Sequence, residues 1–197
     1  MHATQSSARS LVSPIRLEVR RKPHRKDCVQ VVIETARGAR NKMAYDEKLG
    51  AFRLKKVLPE GMTFPYDFGF VPSTLADDGD PLDALVLMDE PATMGCVVSC
   101  RVIGVILGEQ SDGKKKCRND RLIVVALPSH THSNLHRVDD LNETLLEELE
   151  KFFVNYHAVD GEKFRVLGCK GPGKARKLVE EAARRWRKKN KQEGEAE

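Results

Sequence analysis

No run of about 18 apolar residues occurs in the 197-residue sequence, so no segment reads as a membrane-spanning helix and no membrane partner is expected. The cysteines are few and unmatched: Cys28, Cys96, Cys100, Cys117 and Cys169 are odd in number and include no C-x-x-C pair. That argues against a disulfide framework and against a zinc knuckle, and it suits a reducing cytoplasm. Aromatic residues are sparse, at 6% with a single tryptophan, so an aromatic stacking platform for RNA is not expected. No internal repeat or linker is visible. The Ser- and Arg-bearing start lacks the apolar core of about 7 to 15 residues that a secretory leader requires; it resembles an organelle transit peptide in composition, but a flexible extension is the preferred reading.

What remains is a chain with 40% hydrophobic residues, enough for one core, and a net charge of +5 placed mainly at its ends. Residues 1–27 hold seven Lys/Arg against two acids, and residues 184–191 read RRWRKKNK. The expected organisation is a basic extension over 1–27, one globular domain over 28–183 and a charged tail over 184–197.

Short β-branched runs bounded by Gly, Pro, Asp or Asn predict strands at 28–35, 51–58, 83–88, 96–109, 121–127 and 163–168. Residues 139–161 instead space Leu141, Leu145, Leu149, Phe152 and Tyr156 at three to four residues, ahead of Gly161, which predicts an amphipathic helix. A second helix is expected from about Pro172, with Leu178, Val179, Ala182 and Trp186 as its apolar stripe. Strands followed by helices indicate an α+β domain: a small barrel or sandwich with helices laid against it.

The chemistry concentrates in ADDGDPLDALVL, residues 76–87, where Asp77, Asp78, Asp80 and Asp83 crowd together ahead of an apolar run. A solvated turn is one reading, since Asp and Gly favour turns and Pro81 pre-sets one backbone angle. An EF-hand is excluded, because the glycine is misplaced and no glutamate closes a twelve-residue loop. A hard divalent cation such as Mg²⁺ is the other reading, because it would cancel the repulsion and it prefers carboxylates and water. In an extended segment Asp78 and Asp80 share a face, and the bend at Pro81 lets Asp83 rejoin them.

Cations for phosphate oxygens stand nearby in sequence: Arg37, Arg40, Lys42, Lys55 and Lys56, together with Glu34. A second acidic and basic stretch places Asp112 and Asp120 before another strand, with Arg121 adjacent; alone it would read as a charged hairpin. SHTHSNLH brings His130, His132 and His136 together in sequence, and zinc is a rival there to a polar loop. Its Ser and Asn content after Pro128 favours the loop.

The sequence DDGDPLDALVL closely resembles the D-x-D-P-x-D signature of family I soluble inorganic pyrophosphatases, and the likeness runs from VVIE near residue 31 to KFRVLGC near 169. The resemblance implies an OB-like β-barrel carrying two or more helices. It also implies Mg²⁺-dependent hydrolysis of pyrophosphate to two phosphates, with several Mg²⁺ per site and Mn²⁺ or Zn²⁺ as possible substitutes. Carried over by motif, Asp78, Asp83 and Asp120 are the expected ligands of the tightest metal, Asp112 and Glu34 hold further metals, and Asp80 serves the attacking water. Lys42, Lys56, Arg121 and Tyr156 are expected on phosphate oxygens. Self-association as a dimer or hexamer is likewise implied by the resemblance.

Several positions depart from the family pattern. Ala44 replaces a glutamate, Lys56 an arginine, Phe64 and Phe68 tyrosines, Arg121 a lysine and His157 a lysine. The interval from Asp120 to Pro128 is longer than usual, leaving Asn119 or Asp120 as the ligand; Asp120 is preferred because a carboxylate binds Mg²⁺ better than an amide. Two alternatives stay open, the first from these departures and the second from the basic ends and Trp186. One is a related scaffold with an altered phosphoanhydride substrate or lost activity. The other is a basic nucleic-acid-binding module, although nucleic acid is not the expected partner.

Overall fold

The structure is a computed structural model that describes residues 13–17 and 27–194. Nearly all of the expected N-terminal extension lies outside the described residues. Nine strands and two α-helices follow in the order β1 (Cys28–Thr35), β2 (Asn41–Asp46), β3 (Ala51–Val57), β4 (Asp67–Val71), β5 (Leu82–Leu87), β6 (Val97–Ser111), β7 (Lys116–Arg118), β8 (Arg121–Ala126), α1 (Glu143–Ala158), β9 (Lys163–Lys170) and α2 (Pro172–Gly194). Strands β1, β4, β5, β8 and β6 pair in that order, and β6 pairs back to β1, closing a ring. All ring pairings are antiparallel except β5 with β8. The α+β expectation of an OB-like small barrel with helices packed on it describes this architecture.

The 15 residues of β6 allow it to serve β1, β8, β7 and β9 along its length. Close approach of strands is possible where side chains are absent. A Cβ on Gly69 would lie 2.0 Å from the carbonyl oxygen of Val32, so only glycine lets β4 lie against β1 there.

Period-two alternation sorts each ring strand into two faces. Ala84, Val86, Leu122 and Val124 join the cluster that receives Ala175, Val179 and Ala182 of α2. Leu85, Leu87, Ile123 and Val125 join the cluster that receives Leu149 and Phe153 of α1. Each such fully buried large side chain contributes roughly 1.5–3 kcal/mol, so these two layers carry most of the fold's favourable free energy. The first helix opens with Asn142, whose side chain accepts the Thr144 N–H at 2.9 Å.

The strand expectations hold to within a few residues, but β2, β4 and β7 were not foreseen. β4 has only five residues, DFGFV, set between Pro65 and Pro72, and it reads as an approach loop. The boundary expected at residue 183 is not a break, because α2 runs on to Gly194.

Candidate active site

Asp83 and Arg121 open β5 and β8, and the parallel register sets them directly opposite each other. They share the face of Leu85 and Ile123, whose apolar layer ends where these two polar residues begin. Above them lies a cavity of about 1080 Å³, walled by the β2–β3 hairpin, the acidic turn, β7, the end of α1 and the distal part of α2. Acidic and basic side chains line it in equal number, eight of each, so an incoming polyanion needs added positive charge.

On the acidic wall, Asp78, Asp80 and Asp83 all reach the cavity. Gly79, at φ +96°, turns the chain, and the Asp78 side chain accepts the Asp80 N–H at 3.2 Å. Burial raises the Asp78 carboxyl above its ordinary range. Burial likewise pushes Asp83 up to about 6, with Glu34 and Asp78 adding to the rise and Arg121 and Lys42 opposing it. Asp77 does not line the cavity; it is exposed and pairs with Arg185 of α2 at 2.5 Å.

Glu34 is occupied. One of its oxygens accepts Lys42 Nζ at 2.8 Å and the other accepts the Tyr45 N–H at 2.8 Å. Lys42 is buried, with its ammonium 4.3 Å from the centre of the Phe68 ring and 6.0 Å from that of Phe64. The two phenylalanines thus present ring faces to a cation where hydroxyls were expected. Lys56 Nζ sits 3.5 Å from the centre of the Tyr156 ring, donates to the Tyr156 carbonyl at 3.2 Å and pairs with Asp160 at 2.5 Å. Burial raises the Tyr156 hydroxyl, which therefore stays protonated.

The opposite wall differs from expectation. Asp120 does not line the cavity; its Oδ1 accepts the Gly108 N–H at 3.0 Å and Arg118 at 2.5 Å. Strand alternation places Asn119, on the side of Arg121, at the cavity instead. Asp112 is also elsewhere: it sits exposed at the β6–β7 turn, where its side chain accepts the backbone N–H groups of Lys114 and Lys115, which hold its carboxyl below the ordinary range. The wall is completed by Gln110, Asn119, Arg121, His157 and Glu162. Arg121 is 3% exposed, its guanidinium 4.8 Å from the Phe153 ring centre and 5.2 Å from that of Phe164. Its Nη2 lies 3.5 Å from Asp83 Oδ2.

The three histidines of the SHTHSNLH segment do not converge on a metal-like centre. Asp89 organises their loop, accepting from Ser129 Oγ, from the backbone N–H groups of His130 and Thr131, and from Thr131 Oγ1. His132 Nδ1 lies 3.7 Å from Asp89, whereas His136 donates its backbone N–H to Asp140.

Among the described residues, no three His, Cys, Asp or Glu side chains form a ready-made metal cage. The Asp78 and Asp83 carboxyls, raised chiefly by burial, are nevertheless groups whose ionised forms a hard divalent cation would stabilise. Such a donor set fits Mg²⁺, which keeps several waters and borrows substrate oxygens. Sequence reasoning missed Gln110, Asp160, Glu162 and the α2 residues Trp186, Lys189 and Asn190 as cavity residues. Helical spacing could have placed Asn190 one turn beyond Trp186; Gln110, Asp160, Glu162 and Lys189 carried no motif.

The family profile described as inorganic pyrophosphatase matches residues 31–187. An inorganic pyrophosphatase of Synechocystis is 35% identical over 159 residues, which cover 81% of this chain and 92% of that one. That of Thermus thermophilus is 40% identical over 137 residues, covering 70% and 76%. A crystal structure of inorganic pyrophosphatase from Thermus thermophilus superposes with a TM-score of 0.81 at 35% identity, covering 89% of this chain and 99% of that one.

Proposed function

This chain belongs to the inorganic pyrophosphatase family and is a metal-dependent inorganic diphosphatase; we propose that hydrolysis of pyrophosphate to two phosphates takes place in the cavity between β5, β8 and the end of α1, with Mg²⁺ as its metal. The observation that carries the placement is the register pairing of Asp83 with Arg121, which sets a carboxylate wall against a cationic one.

Asp78 and Asp83 are the residues to hold the metal. A divalent cation bound there neutralises phosphate charge and lowers the pKa of an attacking water. Asp80, exposed at the rim with no cationic partner among the described contacts, orients that water and accepts its proton. Lys42, Lys56 and Arg121 face the phosphate oxygens and stabilise the charge that builds on the leaving phosphate. The Tyr156 hydroxyl, kept protonated, donates a hydrogen bond in the same region. Glu34 acts through Lys42, fixing its ammonium at 2.8 Å, and not as a free metal ligand. Asn119 stands at the position for which Asp120 was preferred, and Asp112 has no place in this scheme.

The test is phosphate release from pyrophosphate with Mg²⁺, then with Mn²⁺ or Zn²⁺, beside Asp80→Asn. Release that depends on metal and is lost in the variant supports the assignment; release unchanged in Asp80→Asn removes Asp80 from the reaction. A second reading is favoured by the breadth of the cavity: it reaches Lys48, Lys55 and Trp186, well beyond the span of two phosphates. A longer phosphoanhydride tested in parallel addresses it. The five cysteines are all unpaired, which agrees with a cytoplasmic setting, and exposed Leu54, Val57 and Val97 are candidates for self-association surfaces.

A further inference from the structure

Five side chains on the cationic wall close a hydrogen-bonded ring. Arg121 Nη1 donates to the Asn119 side-chain oxygen and, at 2.8 Å, to the Asn119 carbonyl. Asn119 Nδ2 donates to Gln110 Oε1, and Gln110 Nε2 donates to Glu162 Oε2 at 2.7 Å. The same Glu162 oxygen lies 3.0 Å from His157 Nδ1, and His157 Nε2 lies 3.1 Å from Arg121 Nη2.

Arginine can only donate, so His157 Nε2 accepts and Nδ1–H donates to Glu162. The neutral tautomer is thereby fixed, and the guanidinium cannot swing. It is further held between Phe153 and Phe164, while the His157 ring stacks on Phe164 at 4.8 Å and 6°. Its Nε is buried without a hydrogen-bond partner, a cost the fold bears to keep the charge at this point.

This fixed charge stands 3.5 Å from Asp83 Oδ2, on a wall whose other cavity-facing groups are the neutral amides Asn119 and Gln110, His157, and Glu162, whose Oε2 is held by Gln110 and His157. A divalent cation approaching that side of Asp83 meets a permanent positive charge, and the one carboxylate of that wall, Glu162, is already hydrogen-bonded to Gln110 and His157. We infer that Arg121, clamped by Asn119 and His157, takes the place of one divalent metal ion beside Asp83, so that the substrate-free site loads a single metal ion where several were expected. The inference rests on the proposed metal position at Asp78 and Asp83. Its consequence is that part of the positive charge needed by the polyanionic substrate is built into the chain and does not vary with metal concentration.

Counting bound Mn²⁺ per chain by equilibrium dialysis, on the full chain without substrate, tests it. One ion per chain is expected, and Arg121→Lys should keep that count. The double variant Arg121→Met, Asn119→Asp, which removes the charge and adds a carboxylate, should bind two. Two or more ions of similar affinity on the unaltered chain would overturn the inference whether or not the variants fold, and so would a count of one for a folded double variant. A count of one without pyrophosphate turnover would overturn the proposed function and leave this inference standing. No bound Mn²⁺ would remove the metal position itself, and the inference with it.

Discussion

His157 supplies a pH dependence that can be worked from its surroundings. It is 4% exposed, and burial holds its pKa down to about 4, with the Arg121 charge adding to the depression and Glu162 opposing it. An unfolded chain takes up this proton near the ordinary 6.5, the folded chain only near 4. Between those values the unfolded state binds more protons, so stability falls as pH drops from about 6.5 and is constant with respect to this group above that. The interval corresponds to about 3 kcal/mol, from about 1.4 kcal/mol per pKa unit.

Asp83 acts in the opposite sense across much of the same window. Its pKa rises from 3.8 to about 6, so in metal-free protein its contribution is lost as pH rises. The two effects offset each other in the total curve, and the comparison with His157→Gln isolates the histidine, because Asp83 is common to both. Urea unfolding followed by circular dichroism, with chelator, at pH values from about 4.5 to 7.5 is the assay. The gap between the two proteins should change by about 2–3 kcal/mol between pH 7 and the acid end of the window, the unaltered chain losing more. A gap constant with pH would refute a buried neutral His157.

Other outcomes follow from the same contacts. Asp83→Asn should weaken Mg²⁺ binding at least tenfold by calorimetry, whereas Asp80→Asn should bind Mg²⁺ nearly normally and lose turnover by roughly two orders of magnitude or more, the range for a positioned acid–base group. Both variants binding and turning over normally would contradict the division of roles. Gly69→Ala should cost about 3 kcal/mol or more, because its Cβ would meet the Val32 carbonyl at 2.0 Å; a melting temperature unchanged within a degree would refute that packing. Arg185→Ala should cost only about 0–1 kcal/mol, since its pair with Asp77 is solvent-exposed; a loss of several kcal/mol would contradict that reading of the pair.

The periodic parts of the fold were legible in the sequence. The strand from Cys28 to Thr35 announces itself as a β-branched run opening after Asp27, and α1 carries its apolar stripe over four turns. β4 was not legible, since its burial depends on ring closure between β1 and β5, which no local pattern encodes. At the site, the acidic turn announced itself because four aspartates in so short a span demand an explanation. Register did not: whether Asn119 or Asp120 faces the cavity depends on which residue of β8 meets Asp83, and a one-residue shift exchanges the two faces. Glu162 joins the cavity wall only because the turn after α1 returns it to His157, a tertiary contact with no sequence signature. The C-terminal RRWRKKNK segment looked like a solvated tail by charge alone, yet one side of that helix faces the cavity through Trp186 and Asn190.

On the proposed assignment, the carboxylate wall of Asp78, Asp80 and Asp83 hydrolyses pyrophosphate with a divalent metal. Phosphate release from pyrophosphate should require Mg²⁺, vanish on chelation, return on adding Mg²⁺ back, and fall to background in Asp80→Asn of intact fold. Release that persists in chelator, or that is absent with Mg²⁺, Mn²⁺ and Zn²⁺ alike, would contradict it.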